Sequence, residues 1–310
     1  MKNRSLLRAG GALAAAALGA ATLTACGSED SAEPLTFAAV PAESSASLGA
    51  TFENIVALIE QETGREVEFQ NAADYAAVIE GQRAGQIDIA SFGPFSYVIA
   101  KDSGVNIEAV AAPTDDPAEM PAYTSLAYVL QDSEVENLED LSGRTVCFVD
   151  AASTSGYLVP MKGLNDVGID VDEDLTAVLA GGHDASLLSL EAGNCEVAFA
   201  HNTMLETLES TGQVDGGALR AVWESDPITE DPIALNVDTL GEELTAQITD
   251  LLREQANKPA LVEAGICSSE EDCVLPEETG WGYVPVDDSD FDAIREICAV
   301  TNADACQNVS

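Results

Sequence analysis

Between Asp150 and Pro160 the chain reads Asp-Ala-Ala-Ser-Thr-Ser-Gly-Tyr-Leu-Val-Pro. Ser153, Thr154 and Ser155 set three hydroxyls side by side, and Gly156 follows. Residues 145–149 before them are strand-like, and 156–167 are helix-like, so the hydroxyls sit where a helix begins. A helix start presents unpaired N–H groups and a partial positive charge. Hydroxyls beside those groups form a pocket for a tetrahedral oxyanion that needs no Arg or Lys. Read alone, the same residues also make an ordinary Ser/Thr N-cap, the commoner use of such a run.

The same hydroxyls are open to a second chemistry. Ser153 or Ser155 with His183 and Asp184 would make a serine esterase or phosphoesterase triad. Adjacent His and Asp side chains diverge along the backbone, which makes a poor triad. No G-x-S-x-G elbow is present, and no carboxylate–His cluster suggests a catalytic metal. The expectation is a protein that is not an enzyme and uses no cofactor.

The elements that must position the hydroxyls alternate. Residues 35–40, 66–70 and 87–91 are strand-like; 48–63, 75–84 and the run from 95 are helix-like. A second such unit has strands at 145–149, 176–180 and 196–200, with helices at 156–167 and 185–192 between them. Another helix at about 204–210, a strand at 219–223 and a helix at 245–255 follow. This rhythm implies α/β architecture with parallel, doubly wound sheets and sites at strand ends. Two such units suggest two lobes around a cleft, a common place for a small-molecule site.

Residues 1–25 read as an export signal: Lys2, Arg4 and Arg8, then an Ala/Leu/Gly-rich run. Leu23-Thr-Ala-Cys26 resembles a bacterial lipobox, which implies cleavage before Cys26 and a lipid on its sulfur. Residues 26–34 then form a flexible tether. The expected location is the cell membrane, held by lipid on its extracytoplasmic face. The chain carries 55 acidic residues against 12 Lys+Arg, a net charge of −43. Cleavage removes three of those bases and none of the acids, taking −43 to −46. Such a surface argues against nucleic acid and anionic lipid as partners. It also repels an anionic ligand at long range, so an anion site must work through local dipoles.

Beyond Cys26 there remain Cys147, Cys195, Cys267, Cys273, Cys298 and Cys306. An even count in an exported chain suggests disulfides, and six cysteines allow 15 pairings. Cys267 with Cys273 and Cys298 with Cys306 make two local pairs, which leaves Cys147 with Cys195. A metal site is the rival reading; it lacks any C-x-x-C spacing and has only 2 His to draw on.

Several ordered motifs carry a family resemblance over residues 35–260. They are Ala73-Asp-Tyr75 with Gly81; Ile87-Asp-Ile-Ala90 with Gly93-Pro94; Tyr123-Thr-Ser125; and Leu138-Glu-Asp-Leu-Ser-Gly143. Ser153 to Pro160, Gly182-His-Asp184 and Asp231-Pro232 complete the set. In this order they resemble the phosphate, phosphite and phosphonate-binding components of ABC importers. The resemblance implies a two-lobed, type II periplasmic-binding-protein ("Venus flytrap") fold, each lobe a doubly wound sheet. Lobe one would be 35–127 plus 228–310, and lobe two 128–227, joined through 124–130 and 222–233. The family's sheet order makes the strands of Cys147 and Cys195 neighbours and implies a bridge between them.

By the same resemblance, Ser153, Thr154 and Ser155 bind the oxyanion, and His183 donates to it. Tyr75 and Tyr123 reach it from the opposite lobe, and Asp231 is a crossover carboxylate that can accept from a P–OH or from an ammonium group. Where phosphonate binders place a Glu for an aminoalkyl group, this chain reads Ala200-His-Asn-Thr-Met204, with no acid. The implied ligand is a small phosphorus oxyanion such as phosphite, methylphosphonate or phosphate. The implied partners are an ABC permease and its ATPase, with the binding protein itself a monomer. A ligand-sensing lipoprotein of the same fold is the alternative role.

Overall fold

The computed structural model describes residues 33–42, 45–276, 279–301 and 303–307. The leader 1–25, Cys26 and the tether as far as Ala32 lie outside the described residues. In chain order the strands are β1 (Leu35–Ala39), β2 (Val67–Asn71), β3 (Ile89–Ser91), β4 (Ile107–Thr114) and β5 (Ala122–Tyr123). Then come β6 (Ser125–Leu130), β7 (Thr145–Phe148), β8 (Thr176–Leu179) and β9 (Val197–His201). The last four are β10 (Leu219–Glu224), β11 (Ile228–Thr229), β12 (Ile233–Asn236) and β13 (Gly282–Pro285).

Six of these form one sheet in the order β13-β4-β12-β3-β1-β2, and five form a second in the order β10-β6-β9-β7-β8. The remaining pair, β5 and β11, makes a short antiparallel ribbon that sets Tyr123 opposite Ile228. The chain passes from the first sheet to the second through β5 and returns through β11. Two α/β lobes with a pair of crossings are the type II arrangement that the sequence motifs implied.

The sheets are mixed where the βα rhythm predicts parallel pairing throughout. β1 pairs parallel with β2 and β3, and β7 pairs parallel with β8 and β9, as expected from helix-linked strands. β12, arriving from the other lobe, slots antiparallel between β3 and β4. β6 lies antiparallel between β9 and β10 in the same manner. A strand that enters a sheet from a crossing runs opposite to those delivered by right-handed crossovers, which local periodicity does not reveal.

β4 and β13 escaped the sequence reading. β4, Ile-Glu-Ala-Val-Ala-Ala-Pro-Thr, is buried at every position but Glu108, so it shows no sustained alternation. The helix expected at 245–255 extends from Val237 to Gln255, with a break at Gly241, whose φ of 72° suits glycine.

The structure pairs Cys147 with Cys195, Cys267 with Cys273 and Cys298 with Cys306. Cys147 lies on β7 and Cys195 two residues before β9, its parallel neighbour; their Cα atoms are 5.8 Å apart. That spacing is within the ordinary range for a bridge.

Candidate functional site

Tyr75, Tyr123, Ser153, Thr154, Ser155, His183 and Asp231 all line one pocket, together with Ala42, Gly93 and His201. The cavity is about 10 Å³, room for the centre of one water-sized group. Four helices begin at its wall. They are Tyr75–Arg83, Pro94–Asp102, His183–Glu191 and the turn Thr154–Leu158, which runs on into Val159–Asp166. Their partial positive ends converge on one point, which favours an anion there. Among the described residues no Lys or Arg lines the pocket. Attraction thus comes from dipoles and hydroxyls, in a chain whose net charge repels anions.

The turn at Thr154–Leu158 is a π-turn, and Pro160 explains it. Proline has no N–H, so the carbonyls of Ser155 and Gly156 lose their helical donors. Ser125 Oγ donates to the Ser155 carbonyl at 2.6 Å, and the Val149 N–H donates to the Gly156 carbonyl at 3.1 Å. These substitutes hold the widened first turn against the crossover strand β6 and the end of β7. Gly156 is demanded by the same packing: a Cβ there would sit 2.3 Å from Val149 Cγ2.

Ser153 caps the turn. Its Oγ accepts from the Gly156 N–H at 3.1 Å, and His183 Nε2 lies 3.5 Å away. The ordinary cap is therefore present, in a residue that also lines the pocket. With two donors directed at Oγ, the Ser153 proton is left to turn into the pocket.

Thr154 reaches the other way. Its Oγ1 accepts from the Phe95 N–H at 2.8 Å, joining this helix start to that of Pro94–Asp102. A Cβ on Gly93 would lie 3.3 Å from Thr154 Oγ1, so that residue too belongs to the close approach. A second bond across the cleft runs from the His183 N–H to the Ala42 carbonyl at 2.7 Å.

His183 is buried and holds a defined tautomer. Its Nδ1 accepts from the His201 N–H at 3.1 Å, so the proton of the neutral ring is on Nε2, facing Ser153. Burial, and then the neighbouring His201, hold its pKa well below the usual histidine range. Burial lowers that of His201 to about 4. The two rings meet edge to face at 4.5 Å. A nucleophilic triad needs the opposite tautomer, with Nδ1–H donating to a carboxylate and Nε2 accepting from serine. This arrangement makes His183 a hydrogen-bond donor rather than a base.

In the sequence His201 stands out only as part of a segment without an acid. Its ring in fact lines the pocket, with Nδ1 2.9 Å from Thr203 Oγ1. The sole signal that could have found it was its place at the end of a buried strand. Outside the pocket lining, Asp150 accepts from the Ala152 N–H at 2.8 Å. Burial raises its pKa; bonds from the backbone of Ala152 and Tyr75 oppose that, and Asp74 adds to it. Among the described residues no group of three or more His, Cys, Asp or Glu could hold a metal.

The fold defines a type II solute-binding protein: two α/β lobes with a small pocket between them, lined by hydroxyls and helix starts. The sequence profile described as "ABC transporter, phosphonate, periplasmic substrate-binding protein" matches residues 37–291, and the chain belongs to this family. The match extends past residue 260, where the sequence motifs ended. The family is one of binding components, not enzymes.

Among its relatives is the phosphate-import protein of Mycolicibacterium smegmatis, 38% identical over 89% of this chain and 88% of that protein. The phosphonates-binding periplasmic protein of Escherichia coli is 28% identical over 82% of this chain and 72% of its own length. In structure, the phosphonate-transporter binding protein of Pseudomonas aeruginosa superposes with a TM-score of 0.75. That pair is 25% identical, with 87% of each chain covered. Among the described residues no helix is long and apolar enough to cross a membrane.

Proposed function

We propose that this protein captures a small phosphorus oxyanion, such as phosphite, a phosphonate or phosphate, in the cleft between its lobes. It then hands the ligand to an ABC permease and its ATPase. In this reading lobe one is 35–127 plus 228–310, and lobe two 128–227. The protein is monomeric and held to the extracytoplasmic face of the cell membrane through a lipid on Cys26.

The observation that carries the reading is the convergence of four helix starts and three hydroxyls on one small pocket with no Lys or Arg. Tetrahedral size, negative charge and several acceptor oxygens answer that geometry. Ser153 Oγ–H, His183 Nε2–H and the first amides of the turn supply donors. Tyr75 and Tyr123 close over the ligand from lobe one. Asp231, beside Gly93, accepts a hydrogen bond from a P–OH of the ligand and so selects oxyanions that keep a proton. The Mycolicibacterium relative, a phosphate-import protein, supports the class of ligand.

Titration calorimetry with phosphate, phosphite, methylphosphonate, 2-aminoethylphosphonate and sulfate tests it. A phosphorus oxyanion binding well above sulfate supports the reading. Sulfate binding tightest, or no binding of any phosphorus compound, defeats it.

A further inference from the structure

A second cavity, of about 690 Å³, opens beside the oxyanion pocket. Ala42, His201 and Asp231 line both, so the two spaces are separated by no more than those side chains. Its volume falls within the ~300–1,000 Å³ typical of small-molecule sites. A phosphite or phosphate has no carbon substituent to place in it.

The walls come from three directions. Val40 and Phe52 stand on one side, at the end of β1 and before the helix Glu53–Thr63. Met204 and Leu208 face in from the helix Met204–Ser210. Leu275 and Tyr283 close the third side, from the segment that follows the Cys267–Cys273 bridge and from β13. At the mouth Val274 is 56% exposed, an apolar side chain left in solvent on an otherwise acidic surface. The lining is thus mostly apolar. Its charged members are Asp184, Asp231 and Glu271 against Lys258 alone, which disfavours any second anionic group.

We propose that this cavity is a second compartment of the ligand site, and that it takes an uncharged, apolar substituent on phosphorus, such as a butyl chain or a phenyl ring. The inference rests on the reading of the first pocket as a phosphorus-oxyanion site, and it adds a ligand class: phosphonates or phosphate monoesters with a hydrocarbon body. His201 stands where the two compartments meet. Its ring, uncharged at neutral pH, adds no charge of its own to the passage, where Asp231 is the one carboxylate common to both compartments.

The test is a calorimetric series on the mature protein at one pH and salt, using methyl-, butyl- and phenylphosphonate and phosphonoacetate. Butyl- and phenylphosphonate should bind at least as tightly as methylphosphonate, and phosphonoacetate at least tenfold more weakly. Met204→Trp and the half-buried Thr207→Trp each fill the cavity from one helix. Each should raise the ratio of the phenylphosphonate Kd to the methylphosphonate Kd by tenfold or more. Thr207, half-buried on the cavity wall, serves as the second variant if Met204→Trp fails to fold. Methylphosphonate binding with no binding of the butyl and phenyl compounds overturns the second compartment and leaves the first pocket standing. An unchanged Kd ratio in both variants also overturns it. Failure of every phosphonate to bind overturns the underlying oxyanion reading, and this inference with it.

Discussion

The Phe95 N–H donates to Thr154 Oγ1 at 2.8 Å, and this bond ties one helix start to another across the ligand cleft. Phe95 sits in the first turn of a helix of the six-stranded lobe, Thr154 in the first turn of a helix of the other. The same hydroxyl that faces the pocket therefore also holds the lobes together. Thr154→Val keeps the shape and removes both roles. It leaves the buried Phe95 N–H without an acceptor, which costs about 1–3 kcal/mol, or roughly five- to 150-fold in affinity. Thr154→Ser should restore most of it. Calorimetry showing equal affinity for wild type and Thr154→Val would remove Thr154 from the site.

The two histidines predict a pH dependence of stability. Both have folded-state pKa values below the ordinary 6.5, and that of His201 is about 4. A depressed pKa means the neutral ring is favoured by folding. The stability it contributes is complete above pH 6.5 and is lost as pH falls from there toward 4. Melting temperatures recorded from pH 8 to pH 4 should drop across this window. His201→Gln, which cannot titrate, should flatten part of the fall. An identical pH profile for variant and wild type counts against the assignment.

Asp150 has the opposite sign. Its pKa is raised, chiefly by burial, with Asp74 adding to it. A raised acid is favoured by folding in its protonated form. Its benefit is full below the ordinary 3.8 and disappears as pH climbs through the raised value. Asp150→Asn keeps the acceptor and removes the charge, so it should melt higher than wild type at pH 7. The gap should close on acidification below 3.8. A lower melting temperature at pH 7 would show that the bonds from Ala152 and Tyr75 need the carboxylate.

Asp231 lines the pocket from just beyond β11. A carboxylate facing a ligand oxygen is tolerated only if a proton lies between them. Sulfate carries none at neutral pH and should bind at least tenfold more weakly than phosphite or phosphate. Asp231→Asn supplies a donor in place of the repulsion, and the preference should shrink. Wild-type protein that binds sulfate and phosphate alike would refute this use of Asp231.

Lipidation is tested by fractionation. Cys26→Ser should move the protein from the membrane to the soluble fraction, since no described helix is long and apolar enough to hold it there. Continued membrane retention of the variant, with residues 1–25 removed, would contradict the anchor.

Much of this molecule was readable in one dimension. The helices at Tyr75, Pro94, Thr154 and His183 announce themselves by local periodicity and by the cap and turn residues before them. Those signals are local in physics as well as in sequence. The pairs Cys267–Cys273 and Cys298–Cys306 are short enough to be read the same way. The gathering of Tyr75, Tyr123, Ser153, His183 and Asp231 was implied only through a family pattern; nothing in their spacing brings them together. Three things needed the folded chain. β12 enters its sheet against the grain because it comes from the other lobe. The tautomer of His183 is set by a backbone N–H eighteen residues away, on a neighbouring strand. Gly93 and Thr154 meet because two lobes close. Each is a contact between segments distant in sequence, and no local preference of either segment encodes its partner.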